Sequence, residues 1–145
     1  MRPAGRERET EGRTCAESDV DRWLEAYVEA WTTYDRERIR ALFSDDVEYR
    51  YHPNDEPLRG REAVIASWLG EGADDNDPDA PGTFEVEYRP VAVDGDIAVA
   101  TGTSSYRDEP GGDFVRVYDN CFVIRFDEAG RCAEFTEWYV KRPGL

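Results

Sequence analysis

One histidine, three cysteines and a shortage of basic groups mark this 145-residue chain. A lone histidine without a neighbouring Cys or His cluster cannot meet the ligand count of a zinc site, so no metal is expected. Cys15, Cys121 and Cys132 are an odd number with no CxxC spacing. They argue against a disulfide scaffold and for reduced thiols in the cytoplasm. Eighteen Lys and Arg stand against 33 Asp and Glu, leaving a net charge of −15. Phosphate backbones and anionic lipid surfaces both call for clustered cations, so neither nucleic acid nor membrane is an expected partner. No apolar run approaches the roughly 18–20 residues of a membrane span. The N-terminal stretch MRPAGRERETEGRTCAES has no apolar core, so no secretory signal is expected. Glycine-rich phosphate loops, dinucleotide fingerprints and the GxSxG elbow are missing as well, and no cofactor is expected.

Aromatic side chains, by contrast, are plentiful: Trp 4, Tyr 8 and Phe 6. They supply large buriable surfaces although the hydrophobic fraction is only 39%. The length fits one domain, at roughly 100–200 residues per domain. Residues 1–17 are charged and aperiodic, with Arg2, Arg6, Arg8 and Arg13 cancelling Glu7, Glu9, Glu11 and Glu17. That composition reads as a disordered tail ahead of a single domain over 18–145. The net charge then belongs to the folded part.

Ser18 has the chemistry of a helix N-cap, with Asp19 and Asp21 where the helix dipole favours anions. Trp23, Leu24, Tyr27, Val28 and Trp31 follow on one helical face. Asp35 caps a second helix burying Ile39, Leu42 and Phe43. From Ser44 to Pro53 the period becomes two, with Val47, Tyr49 and Tyr51 on one face and Glu48, Arg50 and His52 on the other. HPNDEPLRG reads as a turn-rich loop. A third helix is predicted over Arg61–Leu69, and Gly70–Gly82 as a solvated loop. The acidic run Asp75, Asp77, Asp79 lacks the glycine and glutamate of a calcium loop (Ala80 and Val86 stand there), so no calcium site is expected. Beyond Thr83 the chain reads as strands. Phe84, Val86 and Tyr88 alternate with charged residues, DGD and DEAG mark turns, and Phe114–Phe126 and Arg131–Val140 flank the second.

The order α-α-β-α-β-β-β-β defines an α+β fold: a curved, mostly antiparallel sheet wrapped around three N-terminal helices, a cone with a cavity. That order resembles the SnoaL-like branch of the nuclear transport factor 2-like superfamily. LFSDDVEYRYHP, EPLRGREAVIASW and IRFDEAGRCAEFTEWY carry the likeness, over roughly Val20 to Val140. The resemblance implies a deep pocket and a homodimer paired through the outer face of the sheet. The superfamily hosts isomerases, cyclases, hydrolases, dehydratases and plain binding modules, so the fold leaves the reaction open.

Three residues are candidates for catalysis. Tyr27 matches the tyrosine with which ketosteroid isomerases polarise the substrate oxygen; the alternative is a core aromatic. His52, before Pro53, stands near the place of the isomerase base, although aligning on Asp45-Asp46 puts Tyr51 there instead. It is apt as a general base, yet its strand parity turns it toward water. Glu137 shares a face with Phe135 and Tyr139, and the resemblance puts an acidic residue of the cyclases near it. Burial among aromatics suits a carboxyl to acid–base work, while pairing with Arg125 across strands would make it structural. Phe122 replaces the second oxyanion acid of the isomerases, which counts strongly against steroid isomerisation. Asn120 on the same face is a polar contact for a ligand or for nearby backbone. Trp23, Trp31, Tyr49, Tyr51, Trp68, Asn120, Phe122, Phe135 and Tyr139 are the expected walls. The expected occupant is a small apolar, oxygen-bearing molecule. Two functions remain open: an acid–base enzyme of isomerase, cyclase or hydrolase type, or a non-catalytic binding or dimerisation module.

Overall fold

A computed structural model describes residues 16–71 and 78–144. Helix α1 spans Glu17–Thr33 and starts two residues earlier than the Ser18 cap implied. Ala16 rather than Ser18 occupies the N-cap, and the Asp19 carboxylate accepts its backbone N–H at 3.1 Å. The capping group thus comes from inside the first turn. The tail reading of 1–17 otherwise falls on residues outside the described ones. Tyr34 closes the helix in the left-handed region, φ 51°. Helix α2, Arg36–Leu42, begins at Asp35, whose side chain accepts the N–H groups of Glu37 and Arg38 as the sequence foretold.

Strand β1, Phe43–Arg50, is followed by a two-residue strand β2, Leu58–Arg59, within the segment expected to be all loop. It pairs with Glu48 and Tyr49, a contact too short for any periodicity to signal. Helix α3 is Arg61–Trp68. Four long strands complete the chain: β3 Phe84–Asp94, β4 Ile97–Arg107, β5 Phe114–Phe126 and β6 Cys132–Lys141. The sheet order is β2-β1-β6-β5-β4-β3, antiparallel throughout except for the parallel pair β1 and β6. This is the expected α+β architecture of three helices and a curved sheet.

Alternation decides which side chains enter the interior. Val47 and Tyr49 on β1, Phe122, Ile124 and Phe126 on β5, and Phe135 on β6 are buried against Val20, Leu24 and Tyr27 of α1 and Val64, Ile65 and Trp68 of α3. Gly102 is required on β4. A Cβ there would stand 1.9 Å from the Glu87 carbonyl oxygen and 2.5 Å from the Tyr88 ring. Its missing side chain lets Tyr88 lie over the strand and face inward. Among the described residues no helix is long and apolar enough to cross a membrane.

Candidate functional site

The concave side of the sheet and the helices enclose a cavity of about 940 Å³. Tyr and Phe divide cleanly at the cavity wall. All eight tyrosines line the cavity (Tyr27, Tyr34, Tyr49, Tyr51, Tyr88, Tyr106, Tyr118 and Tyr139), and none of the six phenylalanines does. The physical reason is the hydroxyl, which needs a hydrogen-bond partner when desolvated and finds one at a cavity wall. Trp31 and Trp68 join the lining.

Trp23, Phe122 and Phe135, expected among the walls, lie behind them. Trp23 points to the closed end of the cone, where its Nε1 donates to the Leu42 carbonyl at 3.0 Å. Phe135 stacks on Tyr49 with ring centroids 4.6 Å apart and sits 4.9 Å from Phe122. Phe122 in turn backs Tyr27 at 5.5 Å and Tyr88 at 4.7 Å. These phenylalanines fix the angles of the phenols in front of them.

Glu137 stands at the centre of the polar groups. Parity on β6 turns it inward with Phe135. Asn120 Nδ2, diagonal to it on the neighbouring strand β5, where Phe122 stands directly opposite, donates to Glu137 Oε2 at 2.8 Å. The amide is held by Ser104 of β4, whose hydroxyl donates to Asn120 Oδ1 at 3.0 Å. Pairing with Arg125, the structural alternative for Glu137, does not occur. Arg125 binds Glu134 at 2.6 Å. Desolvation pushes the Glu137 carboxyl up from 4.5 to about 7, against the opposing pulls of the Asn120 hydrogen bond and the nearby His52. A carboxyl titrating near neutrality can give or take a proton.

His52 is the residue whose surroundings differ most from the sequence reading. Strand parity grouped it with outward Glu48 and Arg50. The strand ends at Arg50, however, and the turn that follows carries His52 to the cavity rim. Its Nδ1 lies 3.1 Å from Asp55 Oδ2 and its Nε2 lies 2.6 Å from the Tyr139 hydroxyl. A carboxylate on Nδ1 favours the tautomer that leaves Nε2 as acceptor for the Tyr139 proton. Tyr27 is buried at mid-helix beside Tyr49 and Trp68; burial holds the Tyr27 and Tyr49 phenols well above the ordinary tyrosine range. Both rings therefore stay protonated as donors. Tyr51 hydrogen-bonds Ser67 at 2.9 Å.

The three candidates Tyr27, His52 and Glu137 thus line one cavity. Sequence reasoning missed Tyr34, Tyr88, Tyr106, Tyr118, Ser104, Asp79 and Arg116 in the lining. Tyr118 has the inward parity of Asn120, and Tyr106 that of Ser104, but reading them as walls needs the cross-strand register. Asp79 accepts from Trp31 Nε1 at 3.2 Å, and its N–H donates to the Tyr34 hydroxyl at 2.8 Å. Of the acidic run Asp75, Asp77 and Asp79, in which no calcium site is expected, Asp75 and Asp77 lie outside the described residues. Among the described residues no three His, Cys, Asp or Glu side chains converge as a metal site.

The concave face of this α+β cone thus holds the half-buried Glu137 carboxyl among tyrosine side chains. The sequence profile of the SnoaL-like domain matches residues 24–135, and the chain belongs to that family. Solved structures agree on the fold. A candidate ketosteroid isomerase from Kribbella flavida superposes with a TM-score of 0.61 at 15% identity, covering 89% of this chain and 83% of its own. An NTF2-like protein of unknown function from Burkholderia xenovorans gives 0.62 at 21% identity, with 88% and 90% covered. An LEH-like epoxide hydrolase from M. tuberculosis gives 0.56 at 19% identity, with 86% and 84% covered. Curated protein sequences gave no match.

Proposed function

We propose that this protein is an acid–base enzyme acting on a ring compound that bears oxygen, with Glu137 as the group that moves the proton. One observation carries this reading. Glu137 is desolvated inside a ligand-sized cavity, paired with the neutral Asn120 amide, and held near neutrality. A carboxyl serving the fold alone would gain more from an arginine, and this sequence has many. Around it, Tyr27 and Tyr49 are donors for a substrate oxygen, and the charge that develops there is met by preoriented phenols. Tyr139, backed by His52 and Asp55, is a second proton-transfer group at the rim. Phe122 offers no donor where steroid isomerases carry an acid, so the proposal is proton transfer next to a carbonyl or ether oxygen rather than steroid isomerisation.

Proton exchange reports this chemistry directly. With the enolisable ketone 2-tetralone in D2O, the wild-type chain should speed deuterium uptake at the carbon next to the carbonyl. Glu137→Gln should lower the enzymatic rate by about 10²–10⁴-fold, the usual contribution of a positioned general acid–base group. Equal background exchange with both proteins would remove the acid–base reading and favour a non-catalytic binding module.

The same proposal includes a homodimer paired through the outer face of the sheet, and a cytoplasmic setting suggested by the cysteine usage. Outward on β4, β5 and β6, Thr101, Cys121, Val123, Thr136 and Trp138 form an uncharged patch in register, and Val140 extends it. Trp138 is 43% exposed and Val140 68%. In a protein of charge −15, two copies can meet only where their faces carry little charge. Trp138→Glu should convert a dimer to a monomer in light scattering, and an unchanged mass would contradict the pairing face.

A further inference from the structure

We propose that the ligand of this cavity carries a carboxylate, and that Arg116 at the cavity mouth receives it. The proposal rests on the reading of the cavity as a ligand site and adds the ligand's charge. Arg116 shares the inward parity of Tyr118 and Asn120 on β5, and its register partner on β4 is Tyr106. The guanidinium carbon lies 4.9 Å from the centre of the Tyr106 ring. Such a contact holds the guanidinium plane while leaving N–H edges free for an anion.

Among the described residues Arg116 makes no ion pair, as Arg50, Arg89 and Arg131 do not, but it alone of these lines the cavity. Acids outnumber bases so heavily that arginines are readily paired: Arg36 with Glu71, Arg40 with Glu62, Arg107 with Glu85 and Arg142 with Asp119. Among the described residues Arg116 has no carboxylate within ion-pair distance, although acids line the same cavity. Those acids are engaged elsewhere. Asp79 binds Trp31 and Tyr34, Asp55 faces His52, Glu137 binds Asn120, and Glu56 points to Arg59 from an almost fully exposed position. Both His52 nitrogens are occupied as well. Arg116 is therefore the lining residue, among those described, with a permanent positive charge and no anion of its own.

Spacing gives the ligand a length. Arg116 and Asn120 are four residues apart on one strand, about 13 Å along the backbone. Asn120 holds Glu137, so a reacting carbon beside Glu137 and an anion at Arg116 require a molecule of about that span. Two or three fused rings bridge it within the cavity. Electrostatics puts the charge at the mouth rather than the floor. A carboxylate beside Glu137 would be desolvated next to another acid, whereas at Arg116 it stays partly hydrated and gains charge-assisted hydrogen bonds.

The test is titration of the full chain with anthracene-2-carboxylate and with anthracene-2-carboxamide, at pH 7.5 and fixed ionic strength, followed by calorimetry. Wild type should bind the carboxylate about fivefold or more tightly than the amide, the scale of a partly exposed charge-assisted contact. Arg116→Gln should abolish that preference and leave amide affinity unchanged, while Arg116→Lys should restore part of it. Equal affinities in wild type, or a preference that survives Arg116→Gln, would overturn the proposal and leave the cavity reading standing. Failure of wild type to bind either compound would overturn both.

Discussion

Glu137→Gln should stabilise the protein by about 3 kcal/mol at pH 8, with the gain shrinking as the pH falls and gone by about pH 4. The folded chain holds this carboxyl up at about 7 against an ordinary value of 4.5. Between those values the folded state binds a proton that the unfolded chain has released. Raising the pH through this window therefore destabilises the fold, by 1.36 kcal/mol for each unit of difference. Above about pH 7 the whole penalty is present. Below 4.5 both states are protonated and the penalty is absent. Glutamine keeps the acceptor for Asn120 Nδ2 and removes the charge, so the variant escapes the penalty. Urea unfolding of both proteins at pH 8, 6 and 4 checks the sign and the window. A variant equally or less stable at pH 8 would mean that Glu137 is better solvated than its surroundings imply.

Phe135→Ala is expected to cost about 3–5 kcal/mol, the range for deleting a buried phenyl ring. Phe135 is fully buried and packs against Tyr49, Phe122, Tyr27 and Trp23, with ring centroids between 4.6 and 6.3 Å. It thus touches both the helix face and the sheet face of the core. Against a total stability of about 5–15 kcal/mol, such a loss leaves little margin. The cavity suffers too, because Tyr27 and Tyr49 lose the ring that sets their angle. Phe135→Leu, which keeps most of the volume, should cost less than half as much by the same denaturation measurement. A cost under about 1 kcal/mol for alanine would show that the ring stack is loosely packed.

Periodicity made the elements legible. Trp23, Leu24, Tyr27 and Trp31 announced α1, and the alternation Val47, Tyr49, Tyr51 announced β1, because burial of one face imposes the period of the backbone. The acid–base candidate was legible for the same reason: Glu137 sits between Phe135 and Tyr139 at spacing two, and that parity carried it inward. Parity misled for His52 because the strand ends two residues before it, so that His52 already belongs to the turn-rich HPNDEPLRG. The division between wall and core was invisible as well. Trp23 and Trp31 lie on one helical face, yet Trp23 faces the closed end near Leu42 and Trp31 the open one. Tyr88, Tyr106 and Tyr118 come together only through the register of three strands, with Gly102 making room for one of them. Long-range register is a tertiary quantity, and a linear pattern does not contain it.

The proposed chemistry depends on the ionisation of Glu137 in the folded protein. Carbon-13 NMR of the labelled Glu137 side-chain carboxyl, followed from pH 4 to 9 and assigned through Glu137→Gln, measures it without knowledge of the substrate. A midpoint near 7 is the predicted result. A midpoint at the ordinary glutamate value of roughly 4.3 would contradict it, leaving a solvated carboxylate where the proposed chemistry needs a proton carrier.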